Sequence, residues 1–300
     1  MDVNLLITDG KGKFTEVGWS KPEITDNEIE VKAIMTGVCR SDIDMMTGKF
    51  GPLPIHMSGH EGLGRVTKIG EEVNDVNVGD IVATRGEPAY ADYYNVKSQE
   101  YVVVPEAHPR YILEPVACGI NVVEQNMQQI LLRQDDDFRI LIKGSGFLAY
   151  CAYTTLVQRG IQADIDVVGS SNTHLWGNKL QDAPKGLYDV IIDLKGDPNT
   201  FTDVIYKDNA LIIAGSNMQV NMDLNNLLWK AVTVNFPSPR NPNFIECMRL
   251  AEAWITNGVL KVDSFWTRSY NRRTEWQNAF TDGVNRPTGY SRGYIKWNTQ

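Results

Sequence analysis

Cys39 and His60 stand 21 residues apart, in the strings CRSD (39–42) and GHEG (59–62). A thiolate and an imidazole nitrogen are good zinc ligands, and a catalytic zinc takes three protein ligands and keeps one position open. Glu114, in ILEPVACG, offers an oxygen donor from later in the chain. Spacing alone does not assign a metal here. A lone cysteine is most often buried and inert, a lone histidine can be a hydrogen-bonded core or surface group, and Glu114 can be a solvated carboxylate. A second pattern, Gly144-Ser145-Gly146-Phe147-Leu148-Ala149, follows the apolar run RILIK and precedes a helical run. That is the place a dinucleotide-binding turn requires, although a lone glycine pattern also marks a merely tight turn. The first glycine turns the chain, the second lets the backbone approach a pyrophosphate, and Ala149 permits close helix–strand packing. The helix start at Phe147 and Leu148 then supplies N–H groups and positive dipole to phosphates.

The elements that must carry these groups are of two textures. Up to about Pro105 the chain is glycine-punctuated and strand-like: EIEVKAIMTGV, GLGRVTKIG, GDIVATRG and EYVVVPE join β-branched residues to turn signals. From near residue 115 helical and strand runs alternate. The spacing predicts a helix over 119–133, a strand at RILIKGSG, a helix over FLAYCAYTTLVQRG ended by Gly160, and strands at ADIDVVGSS, YDVIIDLKG and NALIIAGS. Such alternation indicates a parallel sheet built from βαβ units. After PSPRNPN, at about Pro237, the pattern changes again, with a helix over NFIECMRLAEAWITNG and a closing strand RGYIKW. The fold class is therefore α/β, a β-rich domain (1–118 plus 238–300) interrupted by a parallel-sheet domain (119–237).

Composition narrows the function. With 42% hydrophobic and 22% charged residues the chain is globular rather than disordered. A net charge of −8 disfavours nucleic acid as a partner. No apolar run approaches the roughly 18 residues of a membrane span, and MDVNLLITDGKGKF has no secretory pattern. The four cysteines lack CxxC spacing, against both a disulfide framework and an all-cysteine zinc module. A cytoplasmic protein without membrane or nucleic-acid partners is expected.

Taken together and in order, CRSD, GHEGLGRV, GDIV and LEPVACGI resemble the zinc-dependent medium-chain dehydrogenase/reductase superfamily, above all its alcohol, polyol and threonine dehydrogenases. The resemblance spans nearly the whole chain and implies a GroES-like catalytic domain interrupted by a Rossmann domain, with the metal at the cleft between them. It implies Cys39 and His60 as the first two zinc ligands and Glu114 as the third, with Glu61 beside the metal and able to enter its coordination. Asp42 is the carboxylate expected to hold His60 in one tautomer, and Ser41 the hydroxyl that takes the substrate's proton. Zinc would lower the pKa of an alcohol, or polarise a carbonyl in reverse, while hydride passes to or from a nicotinamide. A small alcohol, polyol or carbonyl substrate and a homodimer or homotetramer follow from the same resemblance.

Two features depart from that pattern. Asp44 occupies the position where alcohol dehydrogenases end a proton relay with histidine, and an aspartate, with a reference pKa of about 3.9 against about 6.5, is the weaker base. Either its pKa is raised or the proton leaves through water. The closely spaced cysteines of a structural zinc are absent between Cys39 and Cys118, so one catalytic zinc and no structural zinc are expected. For the cofactor, DVVGSSN puts Gly169, Ser170 and Ser171 where NAD-specific members carry an acid. Its loss removes repulsion of a 2′-phosphate, which favours NADP(H) over NAD(H), with Asp166 as the alternative ribose ligand. Arg40 and Arg292 match pyrophosphate-contacting positions, or are solvated charges. Trp19, Met45, Met46 and Phe50 lie, by position alone, in segments expected to border the substrate cleft, while His56, His108 and His174 fit no ligand position. Two alternatives stand beside the zinc dehydrogenase: a zinc-free quinone or enoyl reductase, against which the intact ligand set argues, and a non-catalytic nucleotide-binding descendant.

Overall fold

A computed structural model of the protein describes residues 2–49, 56–216 and 222–297. The chain forms two compact units, Met1–Pro115 with Met248–Gln300, and Val116–Cys247. The first begins with β1 (Asp2–Thr8), β2 (Phe14–Ser20), β3 (Glu28–Gly37), α1 (Arg40–Met46) and β4 (His56–Met57). It continues through β5 (Glu61–Ile69), β6 (Ile81–Arg85), β7 (Tyr93–Lys97) and β8 (Tyr101–Val104). α2 (Glu114–Glu124) leads into the second unit, with α3 (Met127–Leu131), β9 (Arg139–Lys143), α4 (Phe147–Gln158), β10 (Asp164–Val168) and β11 (Leu180–Gln181). There follow β12 (Tyr188–Asp193), β13 (Tyr206–Ala214), α5 (Leu224–Trp229), β14 (Thr233–Asn235) and α6 (Phe244–Thr256), after which β15 (Trp266–Asn271), α7 (Trp276–Asn285) and β16 (Arg292–Lys296) complete the first unit.

In the first unit β3 is the hub. It pairs antiparallel with β5, β7 and β16, and β16 in turn pairs with β15. β3 alternates only weakly between buried and exposed positions, as expected of a strand covered on both faces. α7 buries Trp276, Ala279, Phe280 and Gly283, one stripe of a helix, and stacks Phe280 on Phe14 with ring centroids 4.1 Å apart. Beneath β3 lies an ion pair sealed from water. Lys21 Nζ is 2.9 Å from Glu30 Oε2, with the two side chains 1% and 4% exposed. Thr67 Oγ1 donates to Glu30 Oε1 (2.9 Å), Lys68 Nζ stands 3.4 Å from Oε2, and Lys21 also donates to Asn95 Oδ1 and the Pro22 carbonyl.

The second unit is built on a parallel sheet of order β11-β10-β9-β12-β13-β14 among the described residues. All six residues of β12 are buried, and β9 and β12 form its centre, which is why their sequences are nearly unbroken apolar runs. The helix expected over 119–133 is instead two helices, and Asn126 is the reason. Its fully buried amide donates to the Val122 carbonyl at 2.8 Å and accepts from Asn235 Nδ2 at 2.6 Å. A side chain competing for a helical carbonyl in this way interrupts the ladder. No helix among the described residues is long and apolar enough to cross a membrane.

Candidate active site

The register of the first unit brings the chemistry together. Thr36 of β3 pairs with Gly62 of β5, so Cys39, just beyond the end of β3, meets His60 and Glu61, at the entry to β5. Tyr294 of β16 pairs with Gly37, which delivers Arg292 to the same corner. Cys39, His60 and Glu61 each offer a ligand atom, all within 4.8 Å of one another. A thiol, an imidazole and a carboxylate at that separation fit a zinc ion with one open position.

Asp42 lies behind the trio and is completely buried. It folds back over the first turn of α1, where its Oδ2 accepts the Cys39 N–H at 3.1 Å. Its Oδ1 is 3.5 Å from His60 Nδ1, leaving Nε2 on the side of the cluster, 3.4 Å from Ser41 Oγ. Ser41 Oγ also donates to Cys39 Sγ at 3.2 Å. Burial pushes the Cys39 thiol up, and the Glu61 charge adds to it. Burial disfavours a charged His60, but the charges of Asp42 and Cys39 outweigh it and hold the imidazole well above its ordinary value. A bound divalent cation acts in the opposite sense on both groups, favouring thiolate and neutral imidazole.

The remaining site residues of the first unit are placed as follows. Glu61, 0% exposed, is clamped by Arg292 Nη2 at 2.6 and 2.5 Å, and the Arg292 guanidinium lies 4.9 Å from the Trp266 ring centroid. Glu114 is buried at the start of α2 and is not one of the three clustered groups. Asp44 Oδ1 accepts from Arg40 Nε at 3.0 Å and Lys49 Nζ at 2.8 Å. Met46 belongs to the core of this unit and Trp19 packs against it. Phe50 lies outside the described residues.

In the second unit, Gly144 turns the chain at φ +113° directly after β9, and Gly146 opens α4 with no atom within 4 Å of where a Cβ would stand. Phe147 and Leu148 form the first turn. The residue between the two glycines is a clasp. Ser145 Oγ donates to the Ser171 carbonyl at 2.6 Å and accepts the Ser171 N–H at 2.9 Å, while Trp176 Nε1 donates to the Ser145 carbonyl at 3.0 Å. Gly169 is pressed against this clasp, since a Cβ there would come within 2.6 Å of the Ser145 nitrogen. Ser170 and Ser171 are exposed. Asp166 is mid-strand, engaged by Arg139 at 2.9 Å and Tyr188 at 2.7 Å. Gly169→Asp is therefore expected to destabilise the protein by about 1–3 kcal/mol through overpacking without creating NADH selectivity. Thermal unfolding and nucleotide titration check this, and a stable variant that binds NADH over NADPH would contradict it.

Residues 25–113 match the family model for the alcohol dehydrogenase GroES-like domain. The D-arabitol-phosphate dehydrogenase of Enterococcus avium is 24% identical, over 90% of this chain and 91% of that protein. Among solved structures, Escherichia coli galactitol-1-phosphate dehydrogenase superposes with a TM-score of 0.72 at 16% identity, covering 98% of this chain and 99% of that one. Staphylococcus aureus TarJ in complex with NADPH superposes at 0.76 and 16% identity, over 100% of both chains. Residues 25–113 thus belong to the alcohol dehydrogenase GroES-like domain family, and over its whole length the chain is similar to proteins of the medium-chain dehydrogenase/reductase superfamily and has their fold. The GroES-like and Rossmann-like architecture of that superfamily is what the two units show.

Two residues have partners that their type and place in the sequence do not announce. Ser145 occupies the variable place inside the glycine pattern, and nothing in its type announces a clasp. Tyr90 is one of twelve tyrosines, yet its hydroxyl donates to Asp42 Oδ2 at 2.8 Å. Burial, and then the Asp42 charge, push its phenol well above the ordinary value, so it stays a donor.

Proposed function

We propose that the protein is a zinc-dependent, nicotinamide-linked dehydrogenase of alcohols or polyols that prefers NADP(H). The observation that carries this reading is the cluster of Cys39, His60 and Glu61 backed by Asp42. Cys39 and His60 would hold the metal with a carboxylate, Glu61 as it stands in the cluster or Glu114 as the sequence pattern implies. When bound, zinc supplies Lewis acidity that brings the pKa of a substrate hydroxyl toward neutrality. Asp42 keeps the Nδ1 side of His60 occupied, so that Nε2 is the ligating nitrogen. Ser41, in contact with both ligands, takes the hydroxyl proton of the substrate. Asp44 is tied to Arg40 and Lys49, which favours water over its carboxylate as the onward route of that proton.

The pyrophosphate of the cofactor is assigned to the turn Gly144–Leu148 and the N-terminus of α4, and Arg40 and Arg292 to cofactor contacts from the first unit. Gly169 and the exposed hydroxyls of Ser170 and Ser171 favour a 2′-phosphate over a bare ribose. Asp166, spent on Arg139 and Tyr188, supports the same preference. The names of the relatives make polyols and their phosphates the first substrates to screen. A homodimer or homotetramer belongs to this reading, and the exposure of Leu228 (76%), Trp229 (84%) and Phe236 (63%) around the edge strand β14 supports it.

Metal analysis and NADPH and NADH titration on one purified sample test the proposal. The expected result is about one zinc per chain, as a single catalytic site requires, with NADPH bound more tightly. Bound nucleotide without zinc would overturn it in favour of a zinc-free reductase or a non-catalytic nucleotide binder.

A further inference from the structure

Tyr90 contacts the residues that back the metal-donor cluster, Asp42 at one end and Gly59, next to His60, at the other. It is 0% exposed, and its ring meets Phe14 and Phe280 edge-on with centroids 5.8 and 5.4 Å apart. Its N–H donates to the Ser58 carbonyl at 3.1 Å, its carbonyl accepts from Leu6 at 2.9 Å, and the preceding Ala89 N–H donates to the Gly59 carbonyl at 2.7 Å. The ring is thus held by two aromatic neighbours and the backbone by hydrogen bonds. Gly59, immediately before His60, has φ +89°, and a Cβ there would stand 2.5 Å from Tyr90 N and 2.6 Å from its Cγ. The space beside His60 that a side chain would fill is filled by Tyr90 instead. At its other end the hydroxyl is 2.8 Å from Asp42 Oδ2 and 3.0 Å from the Gly37 carbonyl. A phenol has one proton, and the shorter, charge-assisted contact is the one to Asp42.

We propose that Tyr90 is a positioning residue for the metal site: its hydroxyl locks the Asp42 carboxylate so that Oδ1 faces His60 Nδ1, and thereby aims His60 Nε2 at the ion alongside Cys39. The inference rests on the zinc reading above. Two donors, Tyr90 O–H and Cys39 N–H, converge on Oδ2, and Oδ1 is left for the imidazole. With the phenol removed, Oδ2 keeps only the Cys39 N–H, and a carboxylate held by one bond is free to rotate. The imidazole then loses the partner that orients it. Losing an outer partner of a metal-ligating histidine weakens metal binding by about 10–100-fold. The ring and the hydroxyl have separable roles, because Tyr90→Phe keeps the contacts with Phe14, Phe280 and Gly59.

The test is zinc affinity of the full-length chain, measured by competition with a chromophoric chelator, in wild type and Tyr90→Phe. NADPH affinity and the visible spectrum of the cobalt-substituted proteins are read on the same samples. Zinc binding weakened about 10–100-fold, a shifted cobalt spectrum and unchanged NADPH affinity are expected. Equal zinc affinity with an unchanged cobalt spectrum would overturn the role of Tyr90 while leaving the zinc reading intact. A wild type that binds no zinc overturns both. Should Tyr90→Phe not fold, Asp42→Asn carries the test: the locked carboxylate predicts the same loss of zinc affinity, and undiminished affinity would overturn the proposal.

Discussion

Cys39→Ala should lose both its zinc and its turnover, with zinc falling from about one per chain to a trace. Lewis-acid stabilisation of a transition state is worth several kcal/mol, and each ~1.4 kcal/mol is tenfold in rate, so activity should drop by at least about 10³-fold. NADPH binding should persist, because the glycine turn and α4 belong to a different stretch of chain. Cys247→Ala is the matched control. That cysteine is buried, its thiol is pushed up to about 12 by burial, and it takes no part in the donor cluster. Metal analysis and steady-state rates on the two variants decide the matter, and full activity in metal-free Cys39→Ala would sink the mechanism.

The largest effect on stability is expected away from the site, at Glu30. Removing one member of a buried ion pair leaves the other uncompensated and costs about 3–5 kcal/mol. Glu30→Ala should fall near the lower end, ~3 kcal/mol, because Lys21 still donates to Asn95 and the Pro22 carbonyl. Burial alone would raise the Glu30 carboxyl, but Lys21, Thr67 and Lys68 outweigh it and hold the group below its ordinary value near 4.5. A folded value below the unfolded one means that the unfolded chain binds more protons as pH drops. The contribution of Glu30 is therefore complete above about pH 4.5 and fades as the pH falls through the lower, folded value. Thermal unfolding from neutral to acidic pH should show wild type losing stability more steeply than Glu30→Gln below that point. Parallel curves would contradict the assignment.

How much of this was legible in the residues depends on distance along the chain. The strands and helices around RILIK and FLAYCAYTTLVQ were readable because their periodicity and their glycine stops are local. Cys39 and His60 were readable as residue types, since few side chains serve zinc. Their meeting was not, because it depends on the register of Thr36 against Gly62, a long-range pairing that no short motif states. Arg292 was matched to a phosphate-contacting position, yet its guanidinium holds Glu61 from 231 residues away. The break in the 119–133 helix was hidden because Asn126 is an unremarkable helical residue until Asn235 is brought against it. Tyr90 had no signal beyond the bare Gly59, whose purpose appears only when the ring is seen in its place.

The division of the first unit between both ends of the chain also sets an order of assembly on the ribosome. Residues 116–247 are contiguous, so their parallel sheet can close as soon as β14 has emerged. The first unit cannot close then. One edge of β3 waits for β16 (Arg292–Lys296), and Glu61 waits for a counter-charge 231 residues further along the chain. Until then the nascent N-terminal segment presents an unpaired strand and a carboxylate without its arginine, the kind of surface that invites misassembly or chaperone capture. The donor cluster is thus held in its final form late, although all three of its members lie between Cys39 and Glu61.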